Sequence, residues 1–185
     1  MSVSVITSAG GPLAKMRRQD GQSAVPLPIT EHRRPMVGTI LENRFKLTDF
    51  IYGSNLSDVF KANDLIRQKS VIVKFGVGND PENMLVNETG VMSNLPGIFF
   101  PLPISHGDNY LAMEHLKGVS LAEVIANRKD LPLYKMIDLA LSIMYGLALL
   151  HQQGSVHRDL KPQNIYINGD QIYIFDFGLT RRAGY

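Results

Sequence analysis

At 185 residues and 44% hydrophobic content, the chain can build one sizeable core or two small lobes that share a cleft. A net charge of +2 gives no general pull toward nucleic acid or an anionic membrane, and the basic clusters Lys15/Arg17/Arg18, Arg33/Arg34 and Arg181/Arg182 read as solvated surface charge. The absence of cysteine excludes disulfides and thiolate metal sites, and no apolar run is read as approaching the ~20 residues of a bilayer span, so a soluble protein without nucleic-acid or membrane partners is expected.

Residues 1–36 are rich in Ser, Gly, Pro and Gln, hold no acid before Asp20 and show no apolar period, which predicts a flexible leader. Short β-rich runs follow at Arg44 to Tyr52, Val59 to Ala62 and Ser70 to Phe75. Asp80-Pro81-Glu82 combines a capping residue, a proline at the first helical position and an acid in the first turn, and starts a helix predicted to reach about Asn94. Strands are expected at Ile98 to Ile104 and Tyr110 to Leu116 around the turn His106 to Asn109. Leu133 to Gln153 reads as a long helix whose polar stripe, Lys135, Asp138, Ser142 and Tyr145, is so narrow that the helix should be covered on most sides. Ile165 to Ile167 and Gln171 to Phe175 flank Asn168-Gly169, a hairpin signal.

Chemistry concentrates at HRDLKPQN, His157 to Asn164, and at Asp176-Phe177-Gly178. In-line transfer of a phosphoryl group asks a protein mainly for positioning and charge neutralisation. Asp159 can orient the proton of an attacking hydroxyl, Asn164 and Asp176 offer the hard oxygen ligands that Mg²⁺ takes, and Lys161 supplies a point charge for a γ-phosphate. In the run VIVK, Val71 to Lys74, an ammonium ends an apolar strand and needs an acidic partner. Glu88, on the predicted helix, is that candidate, and the pair would hold the α- and β-phosphates of ATP.

These motifs, in this order and spacing, resemble the eukaryotic-like (Hanks-type) protein kinases from about Phe45 to Thr180. The resemblance implies an α+β, two-lobed fold: a five-stranded sheet with one helix over residues 37–117, then a reduced helical lobe over 118–185. It implies Met113 as gatekeeper, backbone contacts to adenine at Glu114 and Leu116, and, from Lys161, preference for Ser/Thr. Aligned with the family's second strand, Val59 stands in the nucleotide-binding row, while Tyr52, Ser54 and Ser57 stand where three loop glycines usually lie. Ser54 and Ser57 would then meet ATP through hydroxyls and could accept phosphate themselves. Ile72 and Tyr166 replace smaller or aliphatic residues around the adenine slot.

Only seven residues follow Gly178, so activation-loop switching is not expected, Arg158 should be structural or meet the terminus, and substrates should be recognised by tertiary surface. The apolar helix should be covered by the leader around Val25 to Ile40, by a partner or by a second copy. This architecture looks like the minimal kinases that bacterial pathogens deliver into host cells, and residues 1–36 look like a type III export leader. The resemblance implies a host protein substrate, with the ninety-kilodalton heat-shock chaperone as one candidate. Two alternatives are a pseudokinase binding module and a small-molecule kinase.

Overall fold

The computed structural model describes residues 5–6, 35–77, 81–127 and 131–182. Most of the expected leader, and the helix cap at Asp80, lie outside these residues. The first half forms a sheet from β1 (Val5–Ile6), β2 (Ile40–Leu41), β3 (Phe45–Gly53), β4 (Ser57–Asp64), β5 (Lys69–Gly76), β6 (Pro103–Gly107) and β7 (Tyr110–Glu114), with α1 (Pro81–Met92) between β5 and β6 in the chain. The sheet order is β1-β2-β3-β4-β5-β7-β6, and all neighbours are antiparallel except β1 and β2. Within the expected leader, Val5–Ile6 thus pairs with Ile40–Leu41, and Ile40 belongs to this sheet rather than to a cover over the long helix.

Strand alternation gives the sheet two apolar faces. One gathers Phe45, Leu47, Phe60, Ala62, Val73 and Tyr110, tightened by edge-on contacts of Phe45 with Tyr110 and of Phe60 with Phe75. The other presents Leu111 and Met113 to Leu85 and Met92 of α1. The same cluster continues into the second half of the chain through Leu150, Ile172, Ile174 and Phe177, so one core joins both halves.

That second half consists of β8 (Val119–Ser120), α2 (Leu121–Ala126), α3 (Leu133–Gln152), β9 (Ser155–Val156), a 3₁₀ turn at Pro162–Asn164, β10 (Ile165–Asn168), β11 (Gln171–Ile174) and β12 (Arg181–Arg182). The helix α2 has no strong apolar period; it forms because Ser120 Oγ accepts the Glu123 amide at 3.1 Å. The pairings are β11-β10-β8 and β12-β9.

Three expectations need correction. Residues 98–102 form no strand, because Pro101 and Pro103 remove ladder donors; instead the Phe99 carbonyl accepts the Ile174 amide and the Leu102 carbonyl accepts the Glu114 amide. The β10–β11 hairpin pairs Asn168 with Gln171, so its turn is Gly169-Asp170, with Gly169 at φ 63°. And α3 is not covered on most sides among the described residues: Gly146 and Leu150 are buried, whereas Leu133, Met136, Ile137, Leu141 and Met144 are exposed.

By length and composition α3 does reach bilayer-spanning size, with a hydropathy of 1.6, contrary to the sequence expectation. In the fold it packs one side on β9 and β11. Leu150→Ala should cost about 2–5 kcal/mol by leaving a cavity in the shared core, whereas Met144→Ser should stay within about 0.5 kcal/mol. Chemical denaturation of both variants checks this contrast.

Candidate active site

Lys74 lies on β5 opposite Val59 of β4 and Leu111 of β7, which turns its side chain to the face that meets α1 and the cleft. It is 4% exposed, and its Nζ lies 2.8 Å from Glu88 Oε2 and 2.7 Å from Asp176 Oδ1. Burial alone would lower the lysine pKa; the two carboxylates overcome this and raise it. Burial likewise works to raise the Asp176 pKa, and Lys74 reverses the sign, holding that carboxylate below its ordinary range. Glu88 Oε1 also accepts the Phe177 amide at 3.3 Å, so strand, helix and the turn after β11 meet in one ionic cluster.

The loop from His157 to Asn164 is organised by His157, which is 2% exposed. Its Nδ1 accepts the Asp159 amide at 3.3 Å, which leaves Nε2–H to donate to the Phe175 carbonyl at 2.9 Å. The ring is therefore neutral, and its pKa is lowered chiefly by burial. Asn164 Nδ2 donates to the Asp159 carbonyl at 2.8 Å and lies 3.3 Å from Asp159 Oδ2; its remaining oxygen is the free acceptor. Lys161 Nζ lies 2.6 Å from Asp159 Oδ2, which raises the lysine pKa. The backbone is left-handed at Arg158 and Asp176, with φ of 68° and 66°, the two non-glycine positions of this kind in the site. Arg158 itself is exposed.

The structure thus brings together Lys74, Glu88, Asp159, Lys161, Asn164 and Asp176. Val59 is 7% exposed in the row beside Lys74. Glu114 ends β7; its amide is committed to the Leu102 carbonyl, so an adenine contact at this residue is left to its carbonyl, while Leu116 lies just beyond the strand. Ser54 and Ser57 are placed differently from expectation. Ser54 Oγ accepts the amides of Leu56 and Ser57 and donates to the Ser57 carbonyl, so it is spent on its own loop, and Ser57 is 4% exposed. Met113, the expected gatekeeper, pairs with Ile72, and the Tyr166 ring packs tilted against Phe175 with centroids 4.7 Å apart.

Sequence reasoning missed three features. Phe177 packs between Phe100, at 5.7 Å, and His157, at 5.2 Å. Asn87 Nδ2 donates to the Thr180 carbonyl at 3.1 Å, tying α1 to the segment after Gly178, and Arg181 and Arg182 pair with Val156 and Ser155. The position of Asn87 beside Glu88 was the only available signal. The third is Tyr52, which the strand register sets in the cross-strand row of Val59 and Lys74; its pKa is raised chiefly by burial, with Lys74 opposing and Asp176 and Glu88 adding to the rise.

Among the described residues no group of three His, Cys, Asp or Glu side chains forms a metal cage. Two residues with oxygen donors, Asn164 and Asp176, are instead brought close by the Phe175 amide, which donates to the Asn164 carbonyl at 2.9 Å, and hard oxygens of this kind suit a divalent cation that takes its other ligands from phosphate and water.

A paired cation in a two-lobed cleft, facing a loop that presents an aspartate and an asparagine, defines a phosphotransferase-type site. The model of the protein kinase domain matches residues 55–185, and the chain belongs to that family. It is 29% identical over 158 residues to a probable serine/threonine-protein kinase of Clostridium acetobutylicum, covering 80% of this chain and 24% of that protein. It is 29% identical over 155 residues to the serine/threonine-protein kinase PrkC of Bacillus subtilis, covering 78% and 24%. With PknL of Mycobacterium tuberculosis it shares 27% over 159 residues, covering 80% and 40%. The chain thus spans about a quarter of the length of the first two of these relatives.

Two outcomes test the site's electrostatics. Lys74→Met leaves Glu88 and Asp176 facing each other without a cation and should destabilise the fold by about 3–5 kcal/mol in denaturant titrations. For His157, the folded pKa lies below the unfolded value of about 6.5, so the unfolded state binds more protons and stability is lost as pH falls through that value. His115 shifts in the same direction, so the check is comparative: the melting temperature should drop less between pH 7.5 and 5.5 in His157→Leu than in the unsubstituted chain.

Proposed function

We propose that this chain is an ATP-dependent serine/threonine kinase domain that uses Mg²⁺ and acts on a folded protein. The observation that carries this reading is the buried Lys74 ammonium held by both Glu88 and Asp176, the arrangement that positions a triphosphate against a catalytic loop. Asp159 orients the hydroxyl of a Ser or Thr acceptor; its oxygen bonds to the γ-phosphorus as the bond to the departing ADP breaks, and the hydroxyl proton passes to Asp159. Lys161 balances the Asp159 carboxylate and stands ready for the γ-phosphate. Asn164 and Asp176 would hold the divalent cation, which supplies neutralisation of phosphate charge.

A second reading, a pseudokinase binding module, draws on the loop in which the Ser54 hydroxyl is committed to its own backbone. A finer version of the kinase reading is a bacterial effector delivered into a host cytoplasm and acting on a host protein such as the ninety-kilodalton heat-shock chaperone. The composition of the first 36 residues supports it, with serines at 2, 4 and 8 and no acid before Asp20. The exposed face of α3 supports association with a partner or a second copy.

Incubation with Mg²⁺ and γ-labelled ATP in a eukaryotic cytosolic extract, and separately in a bacterial one, tests these readings. Asp159→Ala and Asp176→Ala should each lower label transfer by at least about 10²-fold. Label confined to the eukaryotic extract supports the host-directed version, label confined to the bacterial extract removes it, and ATP binding without transfer would favour the binding module. If α3 associates with a second copy, sedimentation of the unsubstituted chain should show a dimer that Leu141→Glu dissociates.

A further inference from the structure

A loop that closes over phosphates through its backbone must have amides to spare, and here three are already used. The Ser54 amide donates to the Ser57 carbonyl, and the amides of Leu56 and Ser57 both donate to Ser54 Oγ. With those three committed, a side-chain donor beside the loop would add to what its backbone can still offer.

The strand before the loop places one there. In β3, Phe50 faces Phe60, but Tyr52, not Ile51, faces Val59, so Ile51 is the extra residue of a β-bulge. Bulges re-aim the side chains that follow them. This one brings Tyr52 into the cross-strand row Tyr52, Val59, Lys74 and Leu111, on the face that carries the Lys74 ammonium. The Tyr52 side chain lies within electrostatic reach of Lys74, Asp176 and Lys161, the groups that would surround a triphosphate. Gly53 allows the chain to turn directly afterwards, since a Cβ there would lie 2.5 Å from Asp58 Oδ1.

We propose that Tyr52 is a nucleotide-binding residue whose hydroxyl donates to a phosphate oxygen of ATP, in place of the committed loop amides. The phenol is neutral at physiological pH, so it donates without adding negative charge beside the phosphates. This inference rests on the kinase reading above, because it needs a triphosphate next to Lys74.

The test is calorimetric titration of the full chain and of Tyr52→Phe with ATP in the presence of Mg²⁺, and separately with adenosine. A hydrogen bond to a charged group corresponds to about tenfold or more in affinity. Tyr52→Phe should therefore bind ATP at least roughly tenfold more weakly, bind adenosine within about twofold of the unsubstituted chain and keep its melting temperature, since the ring is 47% exposed. Unchanged or tighter ATP binding would overturn the assignment, the latter showing that the ring blocks the cleft. Parallel loss of ATP and adenosine would overturn it in favour of packing on the base. Absence of ATP binding by the unsubstituted chain would instead bring down the kinase reading, and this inference with it.

Discussion

The burial of one ammonium group constrains the rest of this molecule. Lys74 sits in a core where an unpaired charge would cost several kcal/mol, and its partners come from α1 and from the turn after β11. Neither carboxylate is local in sequence, so the pairing cannot be satisfied until sheet, helix and second lobe have come together. The Phe177 amide on Glu88 closes the same cluster from the other side. The charge that would grip a triphosphate is therefore also a device that specifies how the two halves meet.

Strain at the site is held by its surroundings. Left-handed backbone at Arg158 and Asp176 costs of order 1–3 kcal/mol each and persists where neighbours over-determine it. Around Arg158 they are the two bonds of the His157 ring and the grip of Asn164 on the Asp159 carbonyl. Around Asp176 they are the Lys74 ion pair and the buried Phe177 ring between Phe100 and His157. A polar residue and an apolar stack share the task, so the geometry of the two aspartates is fixed by packing before any ligand arrives.

What the sequence disclosed was whatever is written locally. The period of β5 around Lys74, the Pro81 start of α1 and the length of α3 are all contiguous patterns, and these elements appear at the expected places. The missed features depend on distant partners. Val119–Ser120 is a strand only because Ile167 and Tyr166 lie opposite, and Arg181–Arg182 only because of Ser155–Val156. The bulge at Ile51 is invisible in composition, yet it decides which side chain joins the cross-strand row of Lys74. For α3 the apolar positions were legible, but periodicity states what a helix can bury, not whether a partner is at hand.

The segment after Gly178 is tied to α1 and to β9. Asn87 binds a backbone carbonyl at Thr180, and β12 pairs with β9 through main-chain bonds. The Asn87 bond and the main-chain bonds are themselves uncharged, and the Thr180 carbonyl also accepts the Arg181 guanidinium at 3.3 Å. Because Asn87 and Glu88 are neighbours on α1, any displacement of that helix that breaks the Lys74 pair also pulls on the Thr180 carbonyl. The two contacts thus favour the same helix position, and an assembled cluster follows from the packing of α1 itself.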